Sequence, residues 1–496
     1  MASNFLDRAI SWFSPRRGLE RAQARHKMSG IAAIKQAYDG ATVGRRASGW
    51  RVVGTDADSE VGAAGARLRD VARDMVRNNP HAWKARQAIT ANTVGTGIIP
   101  SVTMKAGKDR DDLERLLREH FDTTACDADG RHDLYGLQWL VLGTVIESGE
   151  ALIRYRPRKA SDKLPLPFQL QVLEPDYIDS TIDGEQPNGN FAIRGVEFNK
   201  LGKRVAYHLF SSHPGGSTSY TNFKSNRVPA STILHVFRVD RPGQQRGVTW
   251  FAPVVLRLRD FAESSDAFLV RQKVAACFAA FITKVGDDGV STTENPDGGY
   301  PLEELGPGMV QRLRDGESVT FGSPPQVTGY AEYTKTVLRE IAAGMGISYE
   351  ALVGDMESVN FSSGRMGWLE FQRSIDGWRN HMLIPQLCQP IGQWFLDAAS
   401  AVNGKEYDAS IAWTPPRREM IDPTKEITAA IKAIRGGLSS RSYEVRKLGH
   451  DPEVLDAEIA NDNTRADELK LALDSDGRRM TGNGMLQVDP DDDQET

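Results

Sequence analysis

The sequence is poor in cysteine, with only Cys126, Cys277 and Cys388 among 496 residues. An odd and widely spaced set argues against a disulfide framework and is typical of a protein kept in a reducing cytoplasm. The sequence also lacks a long hydrophobic run, since its most apolar segment, residues 274–282, is about half as long as a membrane-spanning helix. Residues 1–14 carry scattered charges rather than a continuous apolar stretch, which argues against a secretory signal. We therefore expect no membrane partner.

An excess of positive charge is missing as well. The formal net charge is −5, whereas a protein that holds nucleic acid by bulk charge is basic. Hydrophobic residues make up 40% of the chain and charged residues 26%, which is enough for a sizeable core. This composition excludes a mostly disordered chain, a collagen-like repeat and a coiled-coil rod, and the length allows about two to four domains.

Charge is unevenly distributed along the chain. Residues 1–51 contain ten basic and three acidic residues, whereas residues 474–496 contain two basic and seven acidic residues. A basic head and an acidic tail favour terminal arms that make their own contacts. Disordered ends that only keep the protein soluble are the alternative, and the tail, with 489–493 reading Asp-Pro-Asp-Asp-Asp, fits it well.

The motifs of catalysis are also absent from the sequence. It contains no P-loop, no HExxH and no nucleophile elbow. Residues 95–97 form a lone Gly-x-Gly that follows a helix, the wrong context for a dinucleotide fold. Residues 126–133 lack the first acid and the closing glutamate of a calcium loop and favour a polar turn. Glu147 and Glu150 flank Gly149, which indicates the start of a strand. We predict no catalytic residue, no metal site, no cofactor and no enzymatic activity.

Hydrophobic periodicity divides the chain into helical and strand regions. Helical spacing predicts helices over residues 60–92 and 109–121. Short alternating runs between residues 151 and 237 predict strands, including a hairpin built from 196–198 and 205–209. Composition and periodicity together favour an α+β protein.

The second half of the sequence is mainly helical. A long helix is predicted over residues 251–282, with Pro253 in its first turn. A Gly-, Asp- and Pro-rich excursion follows and indicates a small inserted domain, after which a second helix begins near Tyr330. Pro385 and Pro390 should kink the long aromatic-rich helix in which they lie. Asp422 and Pro423 are typical of a helix start, as N-cap and first helical residue.

Several segments, taken together, resemble the lambda-type portal proteins of tailed bacteriophages. The resemblance covers about residues 30–460, in the family's order, with Phe361 standing where a tyrosine is expected. The segments that carry it are 38–50, with Tyr-Asp-Gly-Ala and Gly-Trp; 77–80, Arg-Asn-Asn-Pro; 94–98, Val-Gly-Thr-Gly-Ile; 228–247, ending Arg-Pro-Gly-Gln-Gln-Arg-Gly; 339–347, Arg-Glu-Ile-Ala-Ala-Gly-Met-Gly-Ile; 354–365; and 422–438.

The resemblance implies a portal fold with a mixed α/β wing, an α-helical stem, a small inserted α/β clip and an α-helical crown. It divides the chain into a basic N-terminal arm (1–59), a wing (60–250, strands mainly 151–237), a stem helix (251–282), a clip (283–329), a second stem helix (330–352), a tunnel loop (353–364), a long kinked helix with the wing return (365–414), a crown (415–473) and an acidic disordered tail (474–496).

It also implies a function. Such a subunit forms a homo-oligomeric ring, usually of twelve copies, at one capsid vertex, after assembly in the host cytoplasm. Double-stranded DNA passes through the ring without sequence recognition during packaging and ejection. The implied protein partners are the terminase large subunit, a head-tail adaptor or head-completion protein, and the major capsid protein. The alternatives are a capsid-assembly adaptor without a DNA channel and an unrecognised hydrolase.

Candidate site residues follow from this mapping. The tunnel loop would present small polar and acidic groups to DNA, through Asp355, Glu357, Asn360, Ser362 and Ser363. Asp355 and Asn360 could equally serve as helix caps. Contacts between subunits are expected from Arg241, Arg246 and Arg365, although for the first two a solvated turn fits the sequence as well.

Overall fold

The computed structural model describes residues 54–216, 224–276, 280–284, 317–321, 329–357, 360–417 and 422–471, with Trp12, Gln23, Ala24, Met420, Leu473 and Arg478. The chain divides into two compact units, residues 1–56 and 57–496. In the first unit, Trp12 is helical and exposed. Most of the predicted arm, clip and acidic tail lies outside the described residues, and so do the expectations about them.

The second unit is built mainly from helices. Those among the described residues are α1 (Ala57–Asn78), α2 (Pro80–Thr93), α3 (Lys108–Phe121), α4 (Leu134–Ser148), α5 (Val255–Ala276), α6 (Tyr330–Met345), α7 (Tyr349–Val353), α8 (Phe361–Trp378), a π-helix (Arg379–Cys388), α9 (Gln389–Asn403), α10 (Pro423–Arg435), α11 (Arg441–Lys447) and α12 (Pro452–Glu468).

Strands form several antiparallel sheets among the described residues. The strands are β1 (Ile99–Thr103), β2 (Glu150–Pro157), β3 (Phe168–Leu173), β4 (Gly184–Glu185), β5 (Phe191–Ile193), β6 (Val196–Phe198), β7 (Arg204–Phe210), β8 (Ser225–Pro229), β9 (Ile233–Phe237), β10 (Ala280–Lys284), β11 (Glu317–Phe321) and β12 (Ser410–Thr414). Their orders are β3-β2-β9, β4-β5-β6-β7-β8, β1-β12 and β10-β11. The predicted strands and the β6–β7 hairpin are present, and the α+β class is confirmed.

The predicted helix over residues 60–92 is two helices. Asn79 has extended backbone, and its side-chain oxygen accepts hydrogen bonds from the backbone N–H groups of His81 and Ala82, at 3.0 and 3.1 Å. Pro80 occupies the first turn of α2, where its missing N–H costs nothing. A buried asparagine cap and a proline thus end one helix and begin the next.

Helix α4 lies at the centre of the main hydrophobic core. Leu134, Leu142, Val145 and Ile146 on this helix have no exposed surface. The helix is apolar on nearly every side, so it has little of the one-faced periodicity that identifies an amphipathic helix. Hydrophobic periodicity therefore does not predict α4.

Helix α5 is shorter than expected. It ends at Ala276, and Ala280–Lys284 pairs with Glu317–Phe321 as a two-stranded sheet. The predicted continuation of the helix to residue 282 is wrong, because residues 280–282 belong to β10 and pair with β11. Helices α5 and α6 pack together through stacked rings of Phe268 and Tyr330, whose centroids are 3.8 Å apart.

The proline-containing stretch after α8 is π-helical. Pro385 lies inside Arg379–Cys388, and Pro390 lies in the first turn of α9. The backbone N–H of Gln389 donates to Ile384, five residues earlier, as in a wide helical turn. Proline lacks an N–H and crowds the preceding turn, so the predicted disturbance takes the form of a π-helical segment.

Candidate functional site

The segment expected to be the tunnel loop joins two helices. Ser348 caps α7 by accepting a hydrogen bond from the N–H of Ala351, and Gly354, at a φ of 78°, ends that helix. Helix α8 then begins at Phe361. Residues 361–364 therefore form its first turn, and the non-helical part of the predicted loop is shorter than 353–364. The backbone of Ser362 belongs to this helical turn.

Asp355 has several partners at the start of this loop. Its carboxylate accepts from the N–H of Glu357 at 3.0 Å and from the hydroxyl of Tyr349 at 3.3 Å, and Lys335 of α6 lies 3.6 Å away. The Glu357 N–H, followed by Lys335, lowers the pKa of Asp355. The carboxylate of Asp355 therefore interacts with Lys335 of α6 and Tyr349 of α7. Glu357, in contrast, is exposed.

Asn360 and Ser363 form a capping box at the start of α8. The side-chain oxygen of Asn360 accepts from the N–H of Ser363 at 2.8 Å, and the Ser363 hydroxyl oxygen accepts from the N–H of Asn360 at 3.1 Å. The capping role anticipated for Asn360 is present. Both residues are exposed, so the box leaves their outer surfaces free for solvent.

Arg365 lies farther along α8, at an apolar groove. The groove lies between α8 and the helices α10 and α11, and its volume is about 610 Å³. Arg365 also helps to lower the pKa of Asp422, the N-cap of α10, after the larger contribution of Lys425. We call this surface the α8–α10 groove; its apolar lining includes Trp368, Leu369, Ile427, Ile431, Ile434 and Val445.

The two arginines of the segment before α5 have different surroundings. Arg241 is exposed and pairs with Glu60 of α1 at 2.7 Å. Arg246 is buried, and its Nε and Nη2 donate to the carboxylate of Glu150 within the same chain. A contact across a subunit boundary stays a prediction for Arg241 and Arg365, whereas the charge of Arg246 is neutralised inside the subunit.

Glu150 is the centre of a buried charge cluster. Besides Arg246, its carboxylate contacts Nε2 of His235 at 2.9 Å and accepts from the N–H of Gly247 at 2.7 Å. Burial favours the neutral acid, but Arg246 and His235 outweigh it, so the pKa of Glu150 lies well below its usual range. Burial lowers the pKa of His235. The cluster joins β2, β9 and the segment before α5.

The charge cluster around Glu150 is absent from the predictions above, although the sequence contains a signal for it. Glu150 opens a strand whose next three residues are apolar and buried, and His235 lies within the apolar run of β9. An ionisable residue in a buried strand needs a partner. The strand start predicted from Gly149 is present, since β2 begins at Glu150, and the carboxylate of Glu147 lies 3.2 Å from Arg86.

A second cluster contains groups that can bind metals. Glu174, Asp176 and His213 offer ligand atoms within 4.8 Å of one another. Arg73 lies 2.6 Å from Asp176 and 3.3 Å from Glu174, and Arg69 lies 3.2 Å from Asp176. The guanidinium groups of Arg69 and Arg73 thus already balance the negative charge of these carboxylates. The cluster is therefore an ion-pair network.

Comparisons with known proteins identify the family. Residues 43–379 match the family described as “Phage portal protein, lambda family”. A protein of Halomonas phage phiHAP-1 named “Probable portal protein” is 28% identical over 88% of this chain and 87% of its own length. The “Portal protein” of Escherichia phage N15 is 24% identical over 83% and 86%. A solved chain from “Virion of native gene transfer agent (GTA) particle” is 16% identical over 82% of this chain and 96% of its own, with a TM-score of 0.44.

The family match and the two phage relatives define the class of protein as a structural component of phage virions. The chain belongs to the lambda family of phage portal proteins, which confirms the resemblance seen in the sequence. Portal proteins are structural rather than enzymatic, as the sequence analysis expected. No helix among the described residues is long and apolar enough to cross a membrane.

Proposed function

We propose that this portal protein forms a ring at one capsid vertex and that the ring is the channel for DNA packaging and ejection. The family match over residues 43–379 carries this proposal, because it includes α5, α6 and the loop before α8. The homo-oligomer contains twelve subunits in this proposal, as is usual in the family. It assembles in the host cytoplasm and then becomes part of the virion.

Helices α5 and α6 form the stem in this proposal. Helix α5 has 22 residues and is about 33 Å long. One side of it packs on α1 and α6, while Leu256, Leu269 and Val270 are more than half exposed. Exposed apolar side chains on a long helix are typical of an interface that a monomer leaves uncovered. A closed ring covers such surfaces by repeating one head-to-tail contact.

The α8–α10 groove is a second surface for contact between neighbouring subunits, in the region assigned to the crown. Helix α10 has no buried residue, although Ile427 and Ile431 lie on it and are each 47% exposed. Arg365 at the edge of the groove can pair with an acid of the next subunit. We propose the same kind of contact for Arg241, which would also pair with an acidic residue of the neighbouring subunit.

The loop before α8 faces DNA in this proposal. Its described side chains at Asp355, Glu357, Asn360 and Ser363 are acidic or small and polar, and Ser362 is assigned to the same face. Each strong phosphate contact adds affinity through counterion release and slows a sliding duplex. Because residues 353–364 contain no lysine or arginine, this loop lets double-stranded DNA pass without sequence recognition in this proposal.

The remaining partners follow from the proposed regions. The clip, residues 283–329, docks the terminase large subunit and later the head-tail adaptor, and the wing, residues 60–250, meets the major capsid protein. A capsid-assembly adaptor without a channel is the alternative function. Negative-stain images of the purified protein separate the two, because only the proposed function requires a ring with a central opening.

The test of the channel is the double variant Asp355→Lys and Glu357→Lys. In a ring, these changes repeat in every subunit, so DNA movement should become slow and strongly dependent on salt. Packaging by purified motor and proheads is measured at low and high salt. The matched control is Asp111→Lys and Glu119→Lys on the exposed surface of α3. Packaging of a full genome at the wild-type rate by the loop variant at low salt would contradict the assignment.

A further inference from the structure

A small cavity lies beside the buried pair of Glu150 and Arg246. Its volume is about 190 Å³, and α1, the β5–β6 turn and the segment before α5 contribute to its wall. Three guanidinium groups line it, from Arg69, Arg194 and Arg246, but only two carboxylates, from Glu150 and Asp176. The cavity therefore has one positive charge in excess.

Both carboxylates of the cavity are already neutralised. Glu150 is held by Arg246, and Asp176 lies 3.2 Å from Arg69 and 2.6 Å from Arg73. Within the described part of the chain, no carboxylate lies within 4.0 Å of the Arg194 guanidinium and no acceptor is hydrogen-bonded to it. The buried Nε of Arg69 likewise has no acceptor among these residues. Because the side chain of Arg194 is only partly buried, its guanidinium donors are open to a ligand that supplies acceptors.

The backbone of Arg194 has an unfavourable conformation for a residue with a side chain. Its φ is 49° and that of Gly195 is 87°, a turn that favours asparagine or glycine at the first position. The N–H of Arg194 donates to Asp183 at 3.1 Å, and Nη1 of Arg246 donates to the carbonyl of Arg194 at 2.9 Å. These bonds stabilise a turn in which arginine is an unfavourable residue.

Helix α1 leaves room for the same group. A Cβ atom added at Gly62 would lie 2.8 Å from Nη1 of Arg194. Glycine in a helix interior is unfavourable relative to alanine. Two residues that are unfavourable in their local structure, Gly62 in α1 and Arg194 at positive φ, thus both contribute to the position of the Arg194 guanidinium.

We propose that this cavity binds a single oxyanion, with Arg194 and Arg69 as its donors. Guanidinium groups bind phosphate and carboxylate oxygens through paired hydrogen bonds. The volume suits one such group and is smaller than the pockets of about 300 Å³ or more that hold larger ligands. The oxyanion is either free inorganic phosphate or a carboxylate from a second copy of this chain. Both are negatively charged and offer oxygen acceptors to a guanidinium group.

The test compares thermal unfolding of the wild type and Arg194→Asn while inorganic phosphate replaces sodium chloride at constant ionic strength. Phosphate at ten times its Kd should lower the unfolding equilibrium constant of the wild type about 11-fold. Asparagine tolerates positive φ, so the variant should unfold at a higher temperature without phosphate and lose the phosphate response. Isothermal titration calorimetry with phosphate gives the same comparison without unfolding.

Lys163 supplies the matched control. It also has positive φ, at 54°, and is exposed outside the cavity. Lys163→Asn should relieve the same backbone strain and keep the full phosphate response. Gly62→Ala retains the turn and the charge but crowds the guanidinium, so it should weaken the response.

The outcomes separate the two sources of the oxyanion. A response that is independent of protein concentration supports free phosphate, whereas a shift of the wild type to smaller oligomers on adding phosphate supports a carboxylate of a second copy. An Arg194→Asn protein that responds like the wild type, or a wild type that does not respond, overturns the proposal.

Discussion

Nε and Nη2 of Arg246 donate to Oε1 of Glu150 at 2.9 and 2.6 Å, although the two residues are 96 positions apart in the sequence. Both side chains are buried. The pair connects the first residue of β2 to the segment that leads into α5. The pair therefore links the sheet of the proposed wing to the segment before the proposed stem.

Glu150→Gln should lower the free energy of unfolding by about 3–5 kcal/mol. The change keeps the shape of the side chain but leaves the charge of Arg246 buried without a counter-charge. Urea unfolding followed by fluorescence measures the effect. The control is Glu263→Gln, which removes an exposed partner of Arg259 and should leave the midpoint unchanged. A Glu150→Gln protein as stable as the wild type would show that the pair does not hold these segments together.

His120 should make stability depend on pH. Its ring lies against Phe168, with centroids 4.6 Å apart, and burial lowers its pKa from 6.5 to about 4. Between these values the unfolded chain binds more protons than the folded one, so stability is fully present above pH 6.5 and decreases as the pH falls towards 4. The loss amounts to about 3 kcal/mol for this group.

The variant His120→Leu tests this pH dependence. It removes the titrating group, so its unfolding midpoint should fall less than that of the wild type between pH 6.5 and 4. Some decrease should remain, since burial also lowers the pKa of His81 and His235. Identical profiles for the variant and the wild type would exclude His120 as a source of the acid sensitivity.

Gly149→Ala should be strongly destabilising. The φ of Gly149 is 92°, and an added Cβ would lie 2.5 Å from the carbonyl carbon of Val248. Gly189 has a similar φ of 76° but open space around it. Gly189→Ala should therefore cost only about 1 kcal/mol of backbone strain, and Gly149→Ala more than about 3 kcal/mol. Thermal unfolding of the two variants measures the difference, and equal losses would contradict the close approach.

Asn360→Ala should weaken the first turn of α8. The capping box is lost, and the expected cost is about 1 kcal/mol, whereas Asn360→Asp should retain the cap. Hydrogen exchange of the amides at 363–365 reports this locally. If Asn360→Ala impairs packaging and Asn360→Asp does not, the residue acts through the helix cap; impairment by both variants would indicate direct contact with DNA.

Ile431→Asp should reduce ring formation while the subunit stays folded. The side chain is 47% exposed in the α8–α10 groove, so a charge there costs the monomer little but disrupts an apolar subunit contact. Light scattering after size-exclusion chromatography measures the oligomer. Leu201→Asp is the control, because Leu201 is 91% exposed in the β6–β7 turn. Unchanged rings in Ile431→Asp would remove the groove from the interface.

Prediction from the sequence succeeded where the signal is local. The β6–β7 hairpin follows from alternating residues around a turn, and Asp422 and Pro423 begin α10 as their residue types indicate. Prediction failed for α4, whose hydrophobic residues do not follow a one-faced helical period. It also extended α5 too far, because residues 280–284 form a strand that pairs with the distant strand β11. The loop before α8 was found, although capping by Asn360 makes it shorter than expected.

The class of fold and the family follow from the sequence alone, and so do those helix boundaries at which a cap, a proline or a hydrophobic period acts within a few residues, such as the start of α10 at Pro423. Which distant segments meet is visible only in the folded structure. Strand β1 pairs with β12, with Val102 opposite Ile411, and Glu150 finds Arg246 and His235. The residues next to each of these positions in the sequence do not indicate which distant residue will be its partner. A buried charge must be paired and a strand edge must be hydrogen-bonded, but burial and not sequence spacing decides which partner is available.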